Sequence, residues 1–152
     1  MNLFLKCVSC ENNGKEEHVV EVAVEKIEQI KTVLRNAASM RRVVPYGAIY
    51  SIFDDYFEKS EAINHAVIWT TFESACEELA SPKVAIYGSL LSKKSNGGLP
   101  GDGFFDLFRS MRRTEYDEIT CGNGIESNRI PRDKMQEIAN AERQRVYRHA
   151  LA

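Results

Sequence analysis

The sequence lacks the features that define membrane, disulfide-rich and strongly basic proteins. No apolar run approaches the ~20 residues of a transmembrane helix, and the apolar start of the chain has no basic segment before it, as a signal peptide would. Four cysteines in 152 residues are too few for a disulfide scaffold. A formal net charge of −2 argues against a general polyanion binder. These absences favour a cytoplasmic protein without a membrane segment.

What the sequence does contain is ordinary for a globular protein. Hydrophobic residues make up 43% of the chain and charged residues 28%. A chain of this length buries roughly 70% of its unfolded surface, so it needs neither disulfides nor a metal for stability. We therefore predict one helical domain over residues 1–152, in which 1–14 form an irregular N-terminal segment.

The strongest helical pattern covers residues 15–40, which contain neither glycine nor proline. Its apolar residues follow a 3-4-3-4-3 spacing, which is an a/d stripe. We favour an ordinary helix that turns this stripe towards the core of the chain. The alternative is the seam of a homodimer, formed by Val20, Ile27, Ile30 and Leu34.

Apolar periodicity and start signals predict further helices near residues 46–58, 61–80, 82–94, 103–119 and 131–150. Ser81-Pro82 supplies the N-cap and N1 residues of a helix start. Asp102 is a suitable N-cap for the aromatic helix that follows the glycine-rich loop 97–103. The predicted fold class is all-α, a single compact bundle of five to six helices.

Residues 45–94 resemble a helix-turn-helix core in their spacing and turn residues. The first helix would open at Pro45, the second would cover 71–79, and 82–94 would be the recognition helix. The resemblance implies DNA binding through that last helix. Two features depart from it. A long segment separates the first two helices, and residues 104–111 have a helical period where a wing would have strands.

Two groups of residues suggest ligand chemistry. The loop 97–103 holds four glycines before a helix, but its spacing matches neither of the phosphate-binding glycine motifs. We favour a structural role for this loop, as a helix stop, a turn and a cap, over a phosphate site or a partner-contacting loop. Cys7 and Cys10 form a C-x-x-C pair without the second pair of ligands that a zinc site needs. We therefore expect no metal and no cofactor.

Three functions stay open. We favour a regulatory or protein-interaction domain, with a protein partner or a second copy of the chain as its ligand, because no catalytic constellation is visible. The first alternative is a nucleic-acid-binding regulator. Its contacts, which would equally serve a protein partner, are Lys93, Lys94, Arg109, Arg112 and Arg113.

The second alternative is a small enzyme with a pocket near the glycine-rich loop. Such a pocket would use Asp102, Asp106 or the tyrosines Tyr46, Tyr50 and Tyr87. The sequence supplies no pair of nucleophile and base beside them. A protein without enzymatic activity is therefore the favoured interpretation, and no catalytic residue is assigned.

Overall fold

The computed structural model describes residues 4–6, 20–57, 65–122 and 124–152, and the structural statements below concern these ranges. In chain order the elements are β1 (Phe4–Lys6), β2 (Val20–Val22), α1 (Val24–Ser39), β3 (Val44–Pro45), α2 (Tyr46–Ile52), α3 (Asp54–Phe57), α4 (His65–Leu79), β4 (Leu91–Ser92), α5 (Asp102–Met111), α6 (Arg113–Ile119) and α7 (Arg132–Ala150). Short 3-10 helices cover Tyr87–Leu90, Lys94–Asn96 and Ser127–Arg129.

The predicted helical bundle is confirmed. Helices dominate the described residues, and the strands form only two small pairs. Strand β1 runs antiparallel to β2, and β3 runs parallel to β4, with Val44 opposite Leu91. Strands of two or three residues are too short for a periodic signal, so the sequence does not reveal them. Residues 1–14, expected to be irregular, lie outside the described ranges except for β1.

Helix α1 turns its apolar stripe inward. Ile30 and Leu34 are 0% exposed and pack with apolar side chains of α4 in one core cluster, and Ile27 is half-buried against it. Both buried side chains are enclosed by the chain itself and offer no surface to a second copy. This burial is that of a core-facing helix, and the homodimer seam stays a prediction. The side chain of Val20 lies outside the described part of the chain.

Several predicted helices are shorter than expected, for local reasons. Helix α1 begins only at Val24, because Val20–Val22 pairs with β1. The predicted helix 103–119 is broken into α5 and α6 at Arg112, whose backbone leaves the helical region (φ −131°, ψ 56°). The Arg112 side chain reaches Glu142 and two backbone carbonyls, contacts to a neighbouring helix and turn that local propensity does not encode.

The α-helix predicted over residues 82–94 is wrong. The chain there forms a turn, a 3-10 helix, strand β4 and a second 3-10 helix. Its backbone groups are bonded by α7 instead of by a helix of their own: Glu142 accepts from the Ile86 N–H, and Arg143 donates to the carbonyls of Ser89 and Leu91. The helix-turn-helix resemblance therefore fails at its recognition helix.

Helix α7 runs along two core clusters. Val146 and Tyr147 belong to the cluster around α1 and α4, while Ile138 and Ala139 belong to a second cluster with the phenylalanines of α5. The stretch between these two pairs of residues carries the buried charges described below. Among the described helices, none is long and apolar enough to cross a membrane.

Candidate functional site

A groove of about 480 Å³ lies between helix α4, the irregular stretch 80–91 and the first turns of α5. Its lining is mostly apolar and includes five aromatic side chains. They are Tyr46, Trp69, Phe72, Tyr87 and Phe104. The groove adjoins the end of the glycine-rich loop, through Gly101, Asp102 and Gly103. It is therefore a pocket of the size and character that binds ligands in proteins.

One face of α4 forms a wall of the groove, because residues three and four apart on a helix share a face. Trp69, Glu73 and Glu77 follow one another at intervals of four residues along this wall. The indole of Trp69 is fixed by rings on neighbouring elements: its centroid lies 5.1 Å from that of Tyr46 and 5.7 Å from that of Tyr50. The wall therefore presents an aromatic ring followed by two carboxylates in a row.

The glycine-rich loop closes the other side of the groove. The Gly101 N–H donates to the Tyr46 hydroxyl at 3.0 Å, and a Cβ at position 101 would lie 2.5 Å from that oxygen, so the contact requires glycine. Gly97 and Gly98 adopt positive φ, as expected for a chain reversal. Asp102 is the first residue of α5 and not its N-cap, which is Gly101. Its charge still suits the helix N-terminus.

The groove is acidic. Among the described residues, three carboxylates line it, those of Glu73, Glu77 and Asp102, and no lysine, arginine or histidine does. Within the described ranges, no ion pair links these carboxylates to a cation. Burial raises the pKa of Glu73, and the charge of Glu77 raises it further. The Lys93 ammonium lies outside the lining, 6.0 Å from the centroid of the Tyr46 ring.

The groove contains a thiol, but not an activated one. Burial raises the pKa of the Cys76 thiol, and the charges of Glu73 and Glu77 raise it further. A thiol in such surroundings stays protonated and is a poor nucleophile. The lining residues also include no histidine that would serve as a base. Among the described residues, the groove therefore shows no pair of nucleophile and base.

The residues predicted for a pocket are only partly brought together. Tyr46, Tyr87 and Asp102 line the groove, as the predicted pocket near the glycine-rich loop requires. Asp106 does not line it and accepts a hydrogen bond from the Ser127 hydroxyl. Tyr50 packs behind Trp69, outside the lining. The Tyr87 hydroxyl is engaged with the Nδ1 atom of His149 at 2.8 Å.

The predicted basic contacts are largely occupied within the chain. Arg109 pairs with Glu126 at 3.3 Å and Arg113 with Asp117 at 3.2 Å. The Arg112 side chain is 10% exposed and pairs with the buried Glu142 at 2.8 Å. Lys93 and Lys94 are exposed. Three of the five predicted cations are thus already balanced by carboxylates. Cys7 and Cys10 lie outside the described residues.

Sequence reasoning missed the role of Glu142 and Arg143 in holding the groove. Glu142 is 0% exposed and accepts from the Ile86 N–H, from Arg112 and from Arg145. Arg143 donates from Nε to the Ser89 carbonyl at 2.7 Å. Its Nη2 donates to the carbonyls of Leu91 at 3.1 Å and Gly98 at 2.9 Å. These two side chains hold the stretch 86–98, which includes the floor of the groove.

A signal for this pair exists in the sequence. Ile138, Ala139, Val146 and Tyr147 occupy the buried stripe of α7, and the positions midway along that stripe are 142 and 143. Charged residues within an apolar stripe are almost never fully buried unless they are paired. Their position indicates a buried ion-pair network, although it does not identify the partners.

Comparisons of the chain with protein-family models, with curated proteins and with solved structures found no match. The function is therefore inferred from the geometry of the groove and the charges around it.

Proposed function

We propose that the protein is an interaction module whose groove binds an apolar, positively charged segment of a partner protein. One observation carries this proposal: the groove is lined by aromatic side chains and by three carboxylates, with no cation among the lining residues that the structure describes. Concave apolar surface combined with charge of one sign supports binding of a ligand that is apolar and opposite in charge.

The apolar surface of the groove favours a ligand that covers this surface and so removes it from water. Aromatic side chains bury large areas on binding and are enriched at the centres of protein interfaces. Trp69, Phe104 and Leu107 contribute such surface from two different helices. A partner that inserts apolar side chains between these helices would gain roughly 25 cal/mol for each Å² of apolar surface buried.

The apolar surface continues beyond the groove. Leu107 lines the groove, and Met111 lies one turn further along α5 and is 37% exposed. Val84, which is 54% exposed, follows the lining residue Pro82. Arg112 bonds the carbonyls of Pro82 and Lys83 at 3.1 Å each, which holds this turn against the end of α5. A surface extended in this way suits a polypeptide segment better than a compact small molecule.

The sign of the charge selects among partners. Glu73, Glu77 and Asp102 attract a basic segment and repel phosphate groups. Nucleic-acid binding therefore stays the second candidate, because Arg109, Arg112 and Arg113 are also paired within the chain. The proposal includes a cytoplasmic location, which the low cysteine content favours.

Trp69 makes the proposal directly testable, because it is the single tryptophan of the chain and lines the groove. The probes are short synthetic peptides without tryptophan that share the same leucine and phenylalanine positions. At the remaining positions the basic peptides carry arginine and lysine, the neutral peptides glutamine, and the acidic peptides glutamate. We expect the basic peptides to shift the Trp69 emission saturably, the neutral peptides to bind more weakly, and the acidic peptides not to bind.

A groove-blocking variant provides the control. Gly103 lines the groove on the same face of α5 as Leu107, and a Cβ at position 103 meets nothing within 4 Å, so Gly103→Leu adds a side chain at the groove with no clash at its Cβ. We expect this variant to lose peptide binding and to keep its circular dichroism spectrum. Equal binding to the variant and to the unaltered protein would reject the groove as the site. No response to any peptide up to about 1 mM, about −4 kcal/mol, would reject the function.

A further inference from the structure

We infer that the positive charge of the bound segment is an arginine, whose guanidinium lies along the row formed by Trp69, Glu73 and Glu77. This inference rests on the proposed function and assigns the residue type that the groove recognises. It follows from the geometry of the α4 wall, from the chemistry of arginine and lysine side chains, and from the absence of a cation among the described lining residues.

The row places an aromatic side chain and two carboxylates at regular intervals. Trp69, Glu73 and Glu77 are successive i, i+4 neighbours on α4, so their Cβ atoms lie roughly 5–6 Å apart. All three residues line the groove. The next residue in sequence, Glu78, faces a different hollow, which it shares with Lys31, Arg35 and His149. The acidic row therefore belongs to the groove and is not simply a solvated face of the helix.

Arginine matches this row better than lysine does. A guanidinium is planar, carries five N–H donors and stacks on aromatic rings, so one side chain can contact the Trp69 ring and the carboxylate beside it. Its donors can also bridge from one carboxylate to the next. An ammonium is a compact point charge that is more strongly hydrated, and it gains less from the ring and from a second carboxylate. The row therefore favours arginine.

The two carboxylates of the row repel each other. Glu73 and Glu77 carry like charges one helical turn apart, and such i, i+4 pairs are destabilising. Burial and the neighbouring Glu77 both raise the pKa of Glu73. No cation of the described residues offsets the pair through an ion pair. A guanidinium from a partner would relieve this repulsion on binding.

The test uses two versions of the basic peptide, one with arginine and one with lysine at every basic position, titrated against the Trp69 emission. We expect the arginine peptide to bind about fivefold tighter, the upper end of an exposed cation–π and ion-pair gain. Glu73→Gln and Glu77→Gln should each weaken the arginine peptide by about fivefold and reduce the preference over lysine to below about twofold. Glu78→Gln, outside the groove, should change neither value.

The outcomes separate this inference from the proposed function. Equal affinity for the two peptides overturns the arginine assignment and leaves the interaction module in place. A preference for arginine that persists unchanged in both glutamine variants of the row also overturns it, because the carboxylates are then not the contact. If neither peptide binds the unaltered protein, both proposals are overturned. The circular dichroism spectrum of each variant confirms that the fold is kept.

Discussion

Arg143→Met tests whether α7 holds the irregular stretch that forms the floor of the groove. Arg143 is 8% exposed, and its guanidinium donates to the carbonyls of Ser89, Leu91 and Gly98. Methionine keeps an unbranched apolar stem of similar shape and removes the donors. The substitution therefore leaves three carbonyls without their partner while it preserves most of the packing.

The expected loss of stability in Arg143→Met is the balance of opposing contributions to the free energy of unfolding. A hydrogen bond to a charged group contributes about 1.5–3 kcal/mol, but the three bonds share one side chain and are not additive. Burial lowers the pKa of Arg143, because desolvation disfavours the charged form. Removing the charge therefore recovers the free energy that this desolvation costs. Leaving a buried carbonyl without its donor costs about 1–3 kcal/mol. We expect the free energy of unfolding to fall by about 3 kcal/mol.

Urea unfolding followed by circular dichroism measures this change, and Trp69 fluorescence provides a second probe of the same transition. Arg148→Met is the matched control, because Arg148 lies on the same helix and is exposed; it should change stability by less than about 0.5 kcal/mol. A loss below about 1 kcal/mol for Arg143→Met would refute the role of Arg143 as the support of this stretch. Because Leu91 lines the groove, the variant should also bind the basic peptide more weakly.

Two further substitutions test single features of the fold. Arg41 follows α1 with a φ of 54°, and the Arg42 N–H donates to the Ala37 carbonyl at 2.8 Å. Glycine adopts this left-handed conformation without strain, so Arg41→Gly should raise the free energy of unfolding by about 0.5–1 kcal/mol. A lower thermal midpoint would contradict this. Leu34→Ala should lower the free energy of unfolding by about 2–5 kcal/mol at every protein concentration. A loss that depends on protein concentration, with a dimer seen by sedimentation analysis, would instead support the dimer seam.

The helical core could be predicted because its signal is local and repeated. The stripe of α1 keeps its spacing over several turns, and Ile30 and Leu34 are buried where that spacing places them. The stretch 82–94 could not be predicted in this way. Ser81-Pro82 is a genuine start signal by composition, but Glu142 and Arg143 compete for the same backbone groups from more than 50 residues away. Tertiary bonding overrides propensity there.

The candidate site was predictable on one side only. The glycine-rich loop indicates a turn, and Tyr46, Tyr87 and Asp102, named from its surroundings, do line the groove. The wall of α4 carries no comparable signal. Glu73 and Glu77 are indistinguishable in sequence from Glu78, because all three are glutamates of one helix. Only the packing of α4 against the stretch 80–91 decides which of them face the groove.

The bonds from Glu142 and Arg143 also have a kinetic consequence. They join positions that are 45 to 56 residues apart in the chain, and contacts across such long loops form only after the entropy of closing the loop has been overcome. The stretch 86–98 has only short 3-10 helices and the two-residue strand β4 to hold it until α7 docks. We therefore expect the floor of the groove to become ordered late in folding, so that the ability to bind a partner is acquired only with the complete fold.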